Sequence, residues 1–192
     1  MTRVVFVPSA PLLLLDAGPP ELRAALASAL ARLPGEVVVV GAAPVPGWWT
    51  GSVDLTPYGV RGTPATDPLP LALAVGAHLV PGARLWGVPS GPLPESPSYL
   101  VVADGTAKRT LKAPGHLDER ADAFDAEVVA ALAAGDPHRL GSLDAELAGE
   151  LWVEGLPAWQ AAAGLPGPWR GEVLYADAPY GVGYAVAIWQ RD

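Results

Sequence analysis

Short apolar runs alternate with amphipathic stretches along the chain, and this pattern predicts strands and helices in turn. Residues 3–7 are a β-branched run that predicts a strand buried on both faces. Pro19-Pro20-Glu21 begins a predicted helix with one apolar face, and Pro34-Gly35 ends it. Residues 36–40 predict a second buried strand. A strand, helix and strand in this order favour a right-handed crossover with parallel strands, so the sequence predicts an α/β fold.

The rest of the chain continues the alternation. Asp67-Pro68 is expected to cap a helix that runs to Val80. The other predicted elements are strands at 84–88 and 99–103, a loop at 89–94, a helix at 122–134, short helices up to residue 164 and a final strand at 185–189. Residues 42–66 form a long Gly- and Pro-rich segment with Trp48, Trp49 and Tyr58. These aromatic side chains either cover the core or line a pocket or subunit contact.

Composition limits the classes of function. The chain has 192 residues, a net charge of −8 and no cysteine. We expect one domain over residues 1–192, without disulfides or thiolate chemistry. The acidic balance argues against nucleic acids and anionic membranes, so we expect a small molecule or a protein as partner. The apolar start is broken by Pro8 and Pro11 and is interpreted as core rather than an export signal, which favours a cytoplasmic protein.

No local catalytic motif is present. The three histidines, at positions 78, 116 and 138, have no short metal-binding spacing. Ser9 has no neighbouring base, and Gly181-Val182-Gly183 is too short for a phosphate loop. Any site must therefore be assembled from distant segments.

Two segments contain candidate polar residues. Asp177 lies at a bend before Pro179, where two buried strands are predicted to meet; it is either a turn residue or a pocket acid. Lys108 and Arg109 follow a predicted buried strand, where α/β sheets place binding residues, although a solvated turn is an equal alternative.

Several segments together resemble a known superfamily. They are Pro8-Ser9-Ala10-Pro11, Gly41-Ala42-Ala43, residues 103–109, Ala113-Pro114-Gly115, Phe124-Asp125 and the run Tyr-Ala-Asp-Ala-Pro-Tyr-Gly-Val-Gly-Tyr that ends at Tyr184. The chain is similar to the B subunits of class III extradiol ring-cleavage dioxygenases and their Memo-like relatives. The resemblance implies a three-layer α/β fold, with a central, largely parallel or mixed sheet flanked by helices on both faces.

The resemblance also implies positions for the iron site. Ser9 and Ala43 stand at the two iron-binding histidines, Asp177 at the iron-binding glutamate, and Lys108 at the acid/base histidine. A non-haem Fe(II) site of this kind needs two imidazoles and one carboxylate, and this chain keeps the carboxylate alone. We therefore expect no metal or other cofactor, and an ion pair between Lys108 and Asp177 in the former metal cavity.

Three functions remain open from the sequence. The first is a non-catalytic member of the superfamily that binds a small, anionic or aromatic ligand, or a protein, and self-associates as a homodimer. Its expected pocket residues are Ser9, Ala43, Trp48, Trp49, Tyr58, Lys108, Arg109, Asp177 and Tyr180. The second is an active metal-dependent oxidoreductase, an aromatic-ring dioxygenase with Fe(II) bound by recruited ligands such as His116 with Asp177. The third is metal-free catalysis by Lys108, either as a Schiff-base amine or as the base for Ser9.

Overall fold

A seven-stranded mixed sheet with helices on both faces forms the fold in a computed structural model that describes residues 2–88 and 92–191. This is the three-layer α/β arrangement, so the predicted fold class is confirmed. The strand order across the sheet is β3-β4-β2-β5-β1-β7-β6. The strands are β1 Thr2–Val7, β2 Val37–Ala42, β3 Gly47–Trp49, β4 Arg84–Val88, β5 Ser98–Val102, β6 Arg170–Asp177 and β7 Tyr184–Arg191.

Six α-helices and two short 3₁₀ helices connect the strands of the described part of the chain. The 3₁₀ helices span Pro11–Leu15 and Thr56–Tyr58. The α-helices are α1 Pro20–Leu30, α2 Leu71–Leu79, α3 Ala121–Ala134, α4 Pro137–Gly141, α5 Ala145–Glu150 and α6 Leu156–Ala163. In the ranges that the structure describes, no helix is both long and apolar enough to cross a membrane.

The middle of the sheet is parallel and its edges are antiparallel. β1 and β2 each pair in parallel with β5, and Leu100 of β5 lies opposite Val5 on one side and Val39 on the other. The predicted strands β1 and β2 therefore run in the same direction, as expected, but they are not neighbours. β5 is buried along its whole length and occupies the position between them.

Alternate side chains of the central strands enter two separate cores. Val38 and Val40 pack with the helices α3 to α6 on one face. Val37 and Val39 pack with α1 and α2 on the other face. This period of two explains why β2 is a continuous apolar run, because both of its faces are covered by helices.

Three local predictions need correction. α2 begins after Pro70, not at Asp67, and its first turn has no side-chain cap. Residues 42–66 contain strand β3 and a 3₁₀ helix rather than loop alone. Asp177 ends β6, which is an edge strand whose side chains are half-buried or exposed, so it does not lie between two buried strands. Part of the predicted loop at 89–94, residues 89–91, lies outside the described residues.

Candidate functional site

A cavity of about 470 Å³ lies where three parallel strands of the sheet end. β1, β2 and β5 point their carboxyl ends at it, which is the edge of an α/β sheet that usually holds ligands. The start of α2 forms one wall, and the segment before α6 forms the opposite wall. We call it the carboxyl-edge cavity, and its lining residues are Ser9, Ala42, Ala43, Pro44, Pro70, Leu71, Ala72, Val102, Asp104, Glu154 and Gly155.

Asp104 is the acid enclosed within this cavity. It follows β5 directly, and its Oδ1 accepts a hydrogen bond from the Ser9 backbone N–H at 2.6 Å. Burial raises the pKa of the Asp104 carboxyl to about 7, and the negative charges of Glu154 and Asp125 act in the same direction. The accessible part of Asp104 lies in the cavity wall. Near neutral pH this carboxyl therefore exchanges between its charged and neutral forms.

Close packing of glycines brings the cavity walls into place. A Cβ at Gly155 would lie 2.5 Å from Ala103 Cβ and 2.8 Å from Ala103 Cα. A Cβ at Gly41 would lie 2.7 Å from Ala72 Cβ. The residue before α6 can therefore approach the end of β5, and α2 can approach β2, because these positions carry no side chain.

A second buried acid, Asp125 of α3, holds the loop that follows Asp104. Asp125 Oδ1 accepts the Thr106 N–H at 2.8 Å, and its Oδ2 accepts the Thr106 hydroxyl at 2.9 Å. Arg109 Nη1 donates to Oδ2 at 2.9 Å, and its Nη2 contacts Asp122. Burial raises the pKa of Asp125 more than these hydrogen bonds lower it. We call Asp125, Thr106 and Arg109 the Asp125 network.

The Asp125 network also joins two distant loops. Gly105 N–H donates to the Gly183 carbonyl at 2.7 Å, and Gly183 N–H donates to the Thr106 carbonyl at 2.8 Å. Arg109 N–H donates to the Gly181 carbonyl at 3.0 Å. The segment after β5 is thereby fastened to the turn between β6 and β7, which limits how far Asp104 can move.

The structure places the predicted site residues in different locations. Ser9 and Ala43 line the carboxyl-edge cavity, as the resemblance implied for one shared pocket. Asp177 is exposed at the end of β6, and its Oδ1 accepts the N–H of Ala178 at 2.7 Å, which is the turn role. It lines a separate cavity of about 230 Å³, together with Arg109.

The expected ion pair between Lys108 and Asp177 is absent from the described residues. The Lys108 ammonium lies 5.3 Å from the centre of the Trp152 ring. Asp177 instead accepts a hydrogen bond from the backbone N–H of Ala178 at the exposed edge of the sheet. The acids in the cavity with Ser9 and Ala43 are Asp104, which follows the central strand β5, and Glu154, which precedes α6.

The aromatic candidates lie around the sheet rather than in this cavity. Trp48 packs edge-on against Trp86 with ring centres 4.9 Å apart. Trp49 and Tyr58 are half-buried and pack against the core on the α1 and α2 face, which is the covering role. Tyr180 is exposed and lines a different surface cavity with Leu111 and Lys112.

Two cavity residues were not singled out from the sequence. Asp104 belongs to the polar segment that the sequence indicated, and its position directly after a buried strand was the available signal. Glu154 lies in a short link between α5 and α6 and carries no pattern that would separate it from other surface acids.

The cavity residues do not fit the iron that the resemblance implies. Fe(II) in a facial triad takes two imidazoles and a carboxylate. At the two positions where the resemblance implies imidazoles, this chain has Ser9 and Ala43, which are not ligands of that kind. The Asp104 Oδ1 is already bonded to the Ser9 N–H. Among the residues at 2–88 and 92–191, no group of three or more His, Asp or Glu side chains is placed to hold a metal ion.

Comparison with known proteins gives no family assignment: no protein-family model and no curated protein matches the chain.

The Asp125 network predicts that Gly183→Ala destabilises the fold. A Cβ there would lie 2.6 Å from Asp125 Cγ and 2.9 Å from Oδ1, so we expect a loss of about 1–3 kcal/mol in the free energy of unfolding, measured with urea. Gly149→Ala is the matched control. No atom lies within 4 Å of its added Cβ, and an alanine in α5 should stabilise by up to about 1 kcal/mol. Equal effects of the two substitutions would contradict the close packing at Asp125.

The Asp104 carboxyl predicts a pH-dependent effect of Asp104→Asn. Because burial raises the folded-state pKa from 3.8 to about 7, the folded state binds the proton more tightly than the unfolded state. Ionisation of Asp104 therefore has little effect on stability at pH 4, opposes folding increasingly between pH 4 and 7, and does so fully above pH 7. We expect Asp104→Asn to stabilise by about 2–4 kcal/mol at pH 8 and much less at pH 4.

Urea unfolding of both proteins across this pH range measures that difference. The asparagine Oδ1 still accepts the Ser9 N–H, so the substitution removes the charge and keeps the hydrogen bond. A stability difference between the two proteins that stays constant from pH 4 to pH 8 would contradict a raised pKa at Asp104.

Proposed function

We propose that the chain is a divergent relative of the extradiol dioxygenase B subunits, with a degenerate iron site, that binds a small molecule in the carboxyl-edge cavity. One observation carries the proposal. The cavity lies at the ends of three parallel strands, and the carboxyl of Asp104, whose pKa is raised by burial, forms part of its wall. The volume, about 470 Å³, lies within the range of small-molecule sites.

The Asp125 network supports the family part of the proposal. Three of the segments that carry the resemblance are residues 103–109, Phe124-Asp125 and Gly181-Val182-Gly183-Tyr184. They are far apart in the chain, yet they contact each other through Asp125 and the backbone bonds of Gly105 and Gly183. Segments that match different motifs of one family are expected to contact each other in the fold if they have the same structural roles as in that family.

A binding role agrees with the side chains in the cavity. The lining is mostly Ala, Pro, Leu and Val, with two carboxyl groups and one hydroxyl as its ionisable and polar side chains. Small-molecule sites commonly combine an apolar wall with a few polar groups that orient the ligand. Lys108, the residue proposed for amine catalysis, lies over Trp152 outside this lining.

Fragment binding tests the location of the site. We expect saturation-transfer NMR with a library of fragment-sized compounds to detect binding to the wild-type protein, and we expect Ala43→Leu to abolish it by filling the cavity. Ala134→Leu, at an exposed position of α3, is the matched control and should bind as the wild type does. Fragments that bind equally to both variants, or no fragment binding to the wild type, would contradict the proposal.

Iron content tests the degenerate site separately. We expect protein purified without chelators, after expression in iron-supplemented medium, to contain far less than one iron per chain by mass spectrometry, because imidazole ligands are missing at Ser9 and Ala43. Addition of Fe(II) with catechol should cause no oxygen consumption above a buffer control. Stoichiometric iron, or oxygen uptake that Asp104→Asn removes, would favour an active dioxygenase instead.

A further inference from the structure

The charge of the carboxyl-edge cavity identifies the ligand class. Asp104 and Glu154 both line it, and none of the described lining residues is Lys, Arg or His. In the described part of the chain, no cationic side chain forms an ion pair with Asp104. The sequence predicted a small anionic or aromatic ligand, with Lys108 and Arg109 as the contacts for an anion. Arg109 instead forms ion pairs with Asp122 and Asp125 and does not line this cavity. The charged side chains of the cavity are both acidic, so its charge is the opposite of the predicted one.

The groups around Asp104 do not neutralise it. Glu154 lies before α6, and its charge opposes ionisation of Asp104. Asp125 of α3 has the same effect, although Arg109 offsets part of its charge. Tyr184 of β7 is buried and its pKa is raised by burial and by the charge of Asp104, so it remains a neutral phenol. The Ser9 N–H is the hydrogen-bond donor that the structure gives to Asp104.

The starts of the two helices at the cavity do not reverse its charge. Pro70 precedes α2, and Gly155 precedes α6. Each helix start supplies about half a positive charge at most. Two such ends amount to about one positive charge, whereas the two carboxylates contribute two negative charges when both are ionised. When Asp104 and Glu154 are both ionised, the cavity therefore keeps a net negative charge.

We propose that the carboxyl-edge cavity binds a primary ammonium group, with the Asp104 carboxylate as its counter-ion and Glu154 at the exposed rim. This inference rests on the binding function proposed above and names its ligand class. The ammonium donates to the oxygen of Asp104 that does not accept the Ser9 N–H. The apolar part of the ligand packs against Ala43, Pro70, Leu71 and Val102. An amine with a small hydrocarbon body thus fits both parts of the lining.

Three probes of similar shape but different charge test whether the cavity selects its ligand by charge. Benzylamine is cationic at neutral pH, benzyl alcohol is neutral and benzoate is anionic. At pH 8, where Asp104 is mostly ionised, we expect titration calorimetry or NMR to show about tenfold tighter binding of benzylamine than of benzyl alcohol, and weaker binding of benzoate. Lowering the pH to 5 should remove most of the advantage of the amine, because Asp104 then carries a proton.

Matched variants assign the effect to Asp104. Asp104→Asn should bind benzylamine and benzyl alcohol about equally, and their ratio should no longer depend on pH. Glu146→Gln removes one negative charge from the exposed side of α5 and should leave the tenfold ratio unchanged. Ala43→Leu should weaken the binding of benzylamine, because it fills the cavity.

Each other outcome counts against the inference. If benzyl alcohol or benzoate binds as tightly as benzylamine and Ala43→Leu blocks it, the cavity is a binding site but the ammonium inference is wrong. The same holds if the fragment screen finds ligands for the cavity and benzylamine does not bind. If Glu146→Gln weakens the amine as much as Asp104→Asn does, the attraction is that of an acidic surface. If no compound binds, both the inference and the proposed function are wrong.

Discussion

The buried carboxylate of Asp125 is the contact on which the arrangement of the site depends. It accepts hydrogen bonds from the backbone N–H and the hydroxyl of Thr106, and it pairs with Arg109. Helix α3 thereby provides hydrogen-bond acceptors for the loop after β5. A buried charge that loses one partner costs about 3–5 kcal/mol, which makes such a network difficult to alter one residue at a time. The carboxylate also explains why positions 105 and 183 are glycines, because a side chain at either position would occupy the space of the carboxylate.

Holding this loop has an energetic consequence at Asp104. The residue is fixed directly after β5, where it is half-buried and the Ser9 N–H is its hydrogen-bond donor. Its ionised form is therefore unfavourable in the absence of a counter-ion, and the fold bears that cost at neutral pH. A group that is poorly solvated in the free protein can be stabilised by a ligand that supplies the missing charge. The predicted pH-dependent loss of stability and the proposed ligand site therefore both arise from this carboxyl.

The resemblance to the dioxygenase B subunits implied one pocket for Ser9, Ala43 and Asp177, and the structure places Asp177 apart from the other two. Ser9 and Ala43, which follow β1 and β2, do share a cavity. The carboxyl that joins them comes from the end of β5, whereas Asp177 lies at the exposed edge formed by β6. A motif in the sequence gives the order of residues along a strand end, but it does not give the distance of that strand from the centre of the sheet. β6 is the outermost strand in the order, two positions away from β1.

The sequence by itself determined the fold class and most of the elements, because burial on both faces makes strands such as β2 and β5 continuous apolar runs and gives helices such as α3 one apolar face. It also indicated the segment after β5 as a polar site. Only the tertiary structure decided that β5 lies between β1 and β2, that Arg109 pairs with Asp125, and that Glu154 and Asp104 line the same cavity. The reason is physical. Periodicity reports the local environment of each residue, whereas strand order, charge pairing and burial of a carboxyl depend on groups that are distant in the chain and become neighbours on folding.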